Sequence, residues 1–254
     1  MAAKKLPKLG LIKDIPDNRD FTTLPYLKLD QDEAGAVDLR PDFSPIEDQG
    51  SIGSCTANAV AGVIEYLEKK AYAKYLDASR LFIYKTARLL DGIEGDGGSS
   101  VRTACKALRV LGVCPEKYMP YKTTTGWDAE PTAFQFALAQ GYQAIDYYTP
   151  GLKKANWKTT LKNKIPIVFG FDVVWENVPS SGILTVPTGN YDIAGGHAVV
   201  AVGYNANYII FRNSWGKSWG EVGYGYMPWE YLELGLIHAS WVIARLDLIE
   251  AILI

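Results

Sequence analysis

The chain has 254 residues, 26 Lys and Arg against 28 Asp and Glu, a formal charge of -2 and 48% hydrophobic residues. That length supports one large domain or two lobes, and the near-neutral balance removes the electrostatic case for nucleic acid or anionic lipid. No run approaches the roughly 18 apolar residues of a membrane span, and the first residues lack the apolar stretch of a secretory signal, so the expectation is a soluble, cytoplasmic protein, taken as a monomer.

Residues 1–36 show little periodicity, and Pro7, Pro16 and Pro25 divide them into extended pieces, as expected for an extension wrapped on a body. The basic Lys4-Lys5 pair reads as a solvated tail. From Val37 the pattern is helical: one segment runs through Ala57–Lys70, a second around Ala78–Leu90, and a third over Ser100–Leu111 with Gly112 as its stop. The loop 91–100 separates the last two. After a polar connection at 122–131, short helices are expected at Thr132–Ala139 and Leu152–Asn163. The runs 165–171, 197–204, 208–212 and 240–244 are β-branched or aromatic and read as strands, with a tight Asn205-Ala-Asn207 turn pairing the second and third. The division is therefore an extension (1–36), a helical lobe (37–125) and a strand-rich lobe (126–254), an α+β arrangement.

Gln49-Gly-Ser-Ile-Gly-Ser-Cys55 places a thiol where a loop becomes a helix, with Ser54 as the expected N-cap. The unpaired N–H groups and partial positive charge of a helix start favour a thiolate over a thiol. Cys105 and Cys114, by contrast, read as buried small hydrophobes. A nucleophilic thiol needs a base, and the chain offers only His197 and His238. His197 opens a strand after Gly195-Gly196, where missing side chains expose the imidazole; His238 sits in ordinary strand and reads as structural. Asn213, at the end of the neighbouring strand, is placed to hold the second ring nitrogen of His197, with Trp215 covering that bond. Gln49, six residues before Cys55, is placed to donate to an oxyanion. Asp91, Glu94 and Asp96 lack the spacing of a calcium loop, and the scattered Cys and His residues lack zinc-ligand spacing, so no metal or cofactor is called for.

These segments resemble those of papain-like cysteine peptidases. Gln49…Gly53-Ser-Cys55 is similar to the family's glutamine and nucleophile segment, Gly195-Gly-His197-Ala-Val to its histidine segment, and Asn213-Ser-Trp-Gly…Trp219-Gly to its asparagine segment. The order Cys, His, Asn agrees, and His197 lies about 140 residues beyond Cys55, within the family's range. The resemblance spans about Val37 to Val242. It implies a two-lobe fold with a helical first lobe, an antiparallel barrel-like second lobe, and a cleft between them holding Cys55, His197, Asn213 and Gln49. Gly97 and Gly98 are then expected along the cleft edge that receives substrate backbone, with Gly196 and Trp215 also touching substrate.

The chain departs from the family in two ways. Thr56 stands where an aromatic residue usually follows the nucleophile, and Ile52 and Gly95 occupy the positions of a usual disulfide pair. The absence of both halves together fits a variant held without that bridge. Ser99 and Ser100, facing the glycines around His197, point to an open pocket. The expected activity is hydrolysis of peptides or proteins through an acyl-enzyme, with a resting thiolate–imidazolium pair. Rival readings are an amidase, deconjugating enzyme or peptide ligase using the same intermediate, and a non-catalytic peptide-binding relative.

Overall fold

The computed structural model describes residues 7–18, 20, 35–73, 76–144 and 146–244. Lys4-Lys5 and Pro25 lie outside the described residues.

The first long helix, α1 (Cys55–Tyr72), is buried continuously from Cys55 through Leu67. Its run of Ala, Val, Gly and Ile has no polar stripe, the pattern of a helix enclosed on all sides. It ends at Ala73, which adopts the left-handed conformation after Lys69 and Lys70 in the last turn. Helix α2 (Arg80–Asp91) begins at Ser79, whose side chain accepts from Phe82 N, and closes on Gly92 at φ 67°. Helix α3 (Val101–Leu111) is capped by Ser100, which accepts from Thr103 N. A capping box formed by Thr132 and Gln135 starts α4 (Ala133–Ala139), and α5 (Lys154–Lys162) follows. The stretch 126–144 packs on the helical layer: Phe136 meets Phe82 edge-on, Val113 N donates to Tyr142 O, and Ala144 N donates to Leu108 O.

A second layer is a sheet ordered β4 (Asp146–Tyr148), β9 (Ile237–Ala244), β5 (Ile167–Val173), β6 (Gly195–Tyr204), β7 (Tyr208–Arg212), β8 (Tyr224–Pro228), with β2 (Val37–Asp38) also on β6. All of these pairs are antiparallel. The expected α+β fold of a helical lobe and an antiparallel lobe is found; among the described residues the outer strands β4 and β8 do not meet, so the sheet does not close and is barrel-like only loosely. Strand β8 is absent from the periodicity because Tyr224-Gly-Tyr-Met-Pro228 is punctuated by glycine and proline. Gly225 is required there: a Cβ would sit 2.4 Å from the Phe211 ring and 2.8 Å from Trp219. Asn205 fixes the β6–β7 turn by accepting from Asn207 N and Tyr208 N. Short α6 (Glu230–Glu233) leads into β9.

The N-terminal piece contributes β1 (Leu11–Ile12), which pairs parallel with β3 (Ser99–Ser100). Helix α1 lies against β6, so the N-terminus of α1 and the first residues of β6 meet at one end of the layer interface.

The β6 ladder is irregular between Ala201 and Gly203, where β2 docks. A Cβ at Gly203 would lie 2.2 Å from the Val37 carbonyl oxygen. Gly203→Ala is therefore expected to destabilise the protein by about 1–3 kcal/mol through overpacking, read as a lowered urea midpoint with an unchanged m-value.

Candidate active site

Ser54 occupies the N-cap position of α1 without capping it. Its hydroxyl is instead bonded to Tyr121 OH and accepts from Asn58 Nδ2. The expected side-chain cap is therefore absent, and the first N–H groups of α1 stay available at the cleft. The Cys55 sulfur sits among backbone groups of Ala198, Gly10, Thr56 and Cys55 itself.

Across the interface, His197 Nε2 lies 2.8 Å from Asn213 Oδ1, which also accepts from Ser214 N at 2.8 Å. A carbonyl oxygen accepting from Nε2 fixes the tautomer that leaves Nδ1 unprotonated in the neutral ring. His197 Nδ1 is buried and has no hydrogen-bond partner among the described residues. Trp215 stacks on the imidazole at a centroid distance of 4.6 Å and an interplanar angle of 24°. Trp219 and Trp175 pack against Trp215 in turn, and the three indoles wall a cavity of about 670 Å³.

Gln49 is fully buried and every polar atom of its side chain is engaged. Ser214 Oγ donates to Gln49 Oε1 at 2.7 Å, which orients the amide so that Nε2 donates to Ile52 O at 3.1 Å and to Lys8 O at 3.0 Å. Ser214 was not singled out from the sequence. Its place directly after Asn213 is the one available signal, and the partnership with Gln49 is made only by folding.

The cleft is occupied. Gly10 lies so close to the loop before Cys55 that a Cβ on it would fall 1.9 Å from Gly53 O, and a Cβ on Gly98 would fall 2.1 Å from Gly10 O. Ser99 N donates to Gly10 O, continuing the β1–β3 pairing. Leu9 rests over Gly195 and Leu11 over Gly196. Gly98 (φ 81°) and Gly196 thus receive backbone and side chain of a peptide, which happens to be the protein's own. A Cβ on Gly97 would instead meet Ile93 and the Glu94 carbonyl, so the close approach of the segment is at Gly98. Nor do the two serines leave an open pocket. Ser99 is fully buried and shares a short hydrogen bond with Thr56 Oγ1, and Ser100 caps α3. Thr56 thus ties the first turn of α1 to β3 where an aromatic wall was missing from the sequence.

Asp96 joins the two loops that lack a disulfide, accepting from Gly53 N at 2.8 Å and Tyr84 OH at 2.6 Å. Lys8 Nζ completes the set at 2.7 Å. Burial pushes the Asp96 carboxyl upward, but Lys8, Tyr84 and Gly53 together hold it below the usual carboxylate range.

Burial beneath the segment also sets the protonation of the reactive pair. It raises the Cys55 thiol, against the opposing pull of the Ala198, Gly10 and Thr56 backbone, and it lowers His197 to about 4 despite the Asn213 bond. While the segment covers them, burial thus weighs against charge on both groups, opposing the thiolate–imidazolium pair expected at rest. Desolvation disfavours two charges that water no longer reaches.

Similarity to known proteins agrees with this geometry. A family model described as papain family cysteine protease matches residues 34–237. The chain belongs to the papain family of cysteine proteases. It is similar to a "peptidase C1-like" protein of Acanthamoeba polyphaga mimivirus, with 34% identity over 92% of this chain and 86% of the relative. A cysteine protease of Blomia tropicalis is 32% identical over 93% of this chain and 68% of its own. Among solved structures, xylellain, a cysteine protease from Xylella fastidiosa, superposes with a TM-score of 0.84 and 34% identity, covering 97% of this chain and all of that one. This papain-family chain is thus a hydrolase acting on peptides or proteins, and no described helix is long and apolar enough to cross a membrane.

The lowered His197 value has a testable consequence. A histidine depressed from 6.5 to about 4 in the folded state contributes stability that is present above pH 6.5 and lost as pH falls through 4. The raised Cys55 thiol works at the other end, its contribution fading as pH climbs above 9.0. Imidazole NMR of the full chain, assigned with His238→Ala, is expected to place His197 near 4 with unfolding free energy declining across the same acid range.

Proposed function

We propose that this protease works through Cys55 as nucleophile and His197 as proton carrier, and that residues 7–13 hold it in a latent form. What carries the reading is the Gln49 amide: it already donates to a peptide carbonyl, that of Lys8, beside the Cys55 thiol. A substrate carbonyl in that place becomes an oxyanion when attacked, and the Gln49 Nε2–H and helix N–H groups are pre-aimed at the developing charge.

With the segment displaced, water reaches the pair. The Cys55 proton passes to His197 Nδ1, and the start of α1 favours the resulting thiolate. The sulfur bonds to the scissile carbon, the tetrahedral adduct collapses with cleavage of the C–N bond, and the His197 proton goes to the departing amine. A water molecule then gives its proton to His197 and its oxygen to the acyl carbon, the C–S bond breaks, and Cys55 is restored. Asn213 keeps the ring aimed throughout, and Trp215 excludes water from the Nε2 bond.

Chain direction supports latency. The departing amine must lie on the His197–Trp215 side, so the C-terminal part of a substrate runs toward the tryptophan cavity. Here Pro7 and Lys8 line that cavity, while residues 10–12 run the other way along Ser99 and Ser100. Leu9 N, the amine that cleavage at Lys8 would release, then lies toward residues 10–12 and not toward the tryptophan cavity. The segment can fill the cleft without being cut.

Because any side chain at position 10 collides with Gly53, full-length Gly10→Leu is expected to lift the segment and raise kcat/KM on fluorogenic peptides severalfold or more, with a bell-shaped pH profile. Adding Cys55→Ala should lower it by roughly 10⁴-fold or more. Undiminished cleavage after loss of Cys55 would remove the mechanism, and product mass spectra separate hydrolysis from transfer to an added amine.

A further inference from the structure

Strand β9 departs from regular pairing opposite Gly170: Gly170 pairs with Ala239 and Phe171 with Ile237, leaving His238 as the extra residue. Such a bulge re-aims the unpaired side chain. It turns His238 toward the cleft face of β5, where Cε1 comes within 3.4 Å of a Cβ built on Gly170. Asp172, two residues along the same face and directly opposite Gly196, places Oδ1 3.2 Å from His238 Nε2. That contact lacks hydrogen-bond alignment, and neither His238 nitrogen has a hydrogen-bond partner among the described residues.

The result is a trough beside the reactive residues. Gly170 and Gly196 form its floor, and the Leu11 side chain lies on both: a Cβ would meet Leu11 Cδ2 at 2.6 Å and Leu11 Cβ at 3.1 Å, respectively. At its end is the Asp172 carboxylate, only 6% exposed, gripped by Lys13 Nζ at 2.7 Å. Burial lowers His238 against the pull of Asp172, with Lys13 adding to the lowering and Asp14 opposing it, so protonation of the ring is disfavoured while the segment is in place. When the segment leaves, Lys13 leaves with it, and Asp172 loses that ion pair.

We infer that Asp172, supported by His238, makes this trough a specificity pocket for a basic side chain, lysine or arginine, on the acyl side of the scissile bond. The inhibitory segment fills it with two residues, Leu11 supplying apolar volume and Lys13 supplying charge. A substrate running the other way supplies both with one side chain. The glycine floor accepts its methylene stem, and the distance from Gly170 to Asp172, about 7 Å for two residues of strand, matches the reach of lysine to its ammonium. A carboxylate this enclosed gains most from a partner that brings its own charge and hydrogen bonds, and it rejects an aliphatic side chain that would leave it unpaired. This inference rests on the peptidase reading above and names the substrate that reading leaves open.

The test uses full-length Gly10→Leu protein and a peptide series varied at each acyl-side position among Lys, Arg, norleucine and Glu. At one position Lys or Arg is expected to exceed norleucine by about tenfold or more in kcat/KM, with Glu weakest. In Asp172→Asn, which keeps shape and removes charge, that ratio should collapse toward one. Equal use of Lys and norleucine by the parent, or a basic preference that survives Asp172→Asn, would overturn the assignment, and the parent comparison needs no change at Asp172. The same peptides are titrated by fluorescence anisotropy onto the Gly10→Leu protein carrying Cys55→Ala. A basic preference in Kd without turnover in the parent would retain the pocket and remove the peptidase mechanism. No basic preference in either measurement would remove the pocket whatever the turnover.

Discussion

The packing of helix α1 on strand β6 is the constraint on which the site depends. Cys55 begins the helix and His197 lies near the start of the strand, so their meeting is decided by how two buried surfaces seat against each other. The seating is close-fitting. Cys55 through Leu67 are buried without interruption, and Gly62 leaves room for Arg212, whose guanidinium donates to Ser44 O and Pro45 O. Close-packed interfaces of this kind resist sliding, which keeps a thiol and an imidazole from separate layers in register. Within the sheet layer Asn213 holds His197, and Ser214 beside it joins the layers by holding Gln49.

On that frame the N-terminal segment acts through exclusion of water as much as through occupancy. Gly10 lies against Gly53 and Gly98 on the helical side while Leu9 and Leu11 lie on Gly195 and Gly196 of the sheet, and burial at this place disfavours charge on both Cys55 and His197. Two ion pairs anchor it on opposite sides, Lys8 with Asp96 and Lys13 with Asp172. Each anchor sits on a carboxylate with other work: Asp96 links the nucleophile loop to Tyr84, and Asp172 ends the specificity trough. Displacing the segment therefore opens the cleft, relieves the burial that disfavours charge on Cys55 and His197, and frees Asp172 from Lys13 in one event.

Much of this was legible in the sequence, for reasons that differ between residues. Cys55, Gln49, His197 and Asn213 lie in segments whose glycines, spacing and order carry the chemistry locally. The main helices followed from apolar periodicity and, for the third, a clear stop at Gly112. Asp172 was silent because it is one carboxylate in an apolar strand, made significant only by the strands beside it. His238 read as structural because a bulge depends on pairing register, which a single strand does not encode. Ser99 looked open because a short polar residue is common at surfaces; its partner Thr56 is distant in sequence and buries it. Residues 7–13 showed their extended character, but their fit to the cleft resides in Gly10, whose meaning lies entirely in what it touches.

The most direct measurement is the rate of Cys55 alkylation by iodoacetamide against pH, compared between the native chain and Gly10→Leu. The native chain should react slowly throughout the mildly acidic range, whereas Gly10→Leu should react fast and keep its reactivity well below the thiol's ordinary value of 9.0, as a thiolate paired with His197 requires. Equal rates in the two proteins, or a variant whose reactivity rises only near pH 9.0, would contradict both the covering role of the segment and the activated nucleophile beneath it.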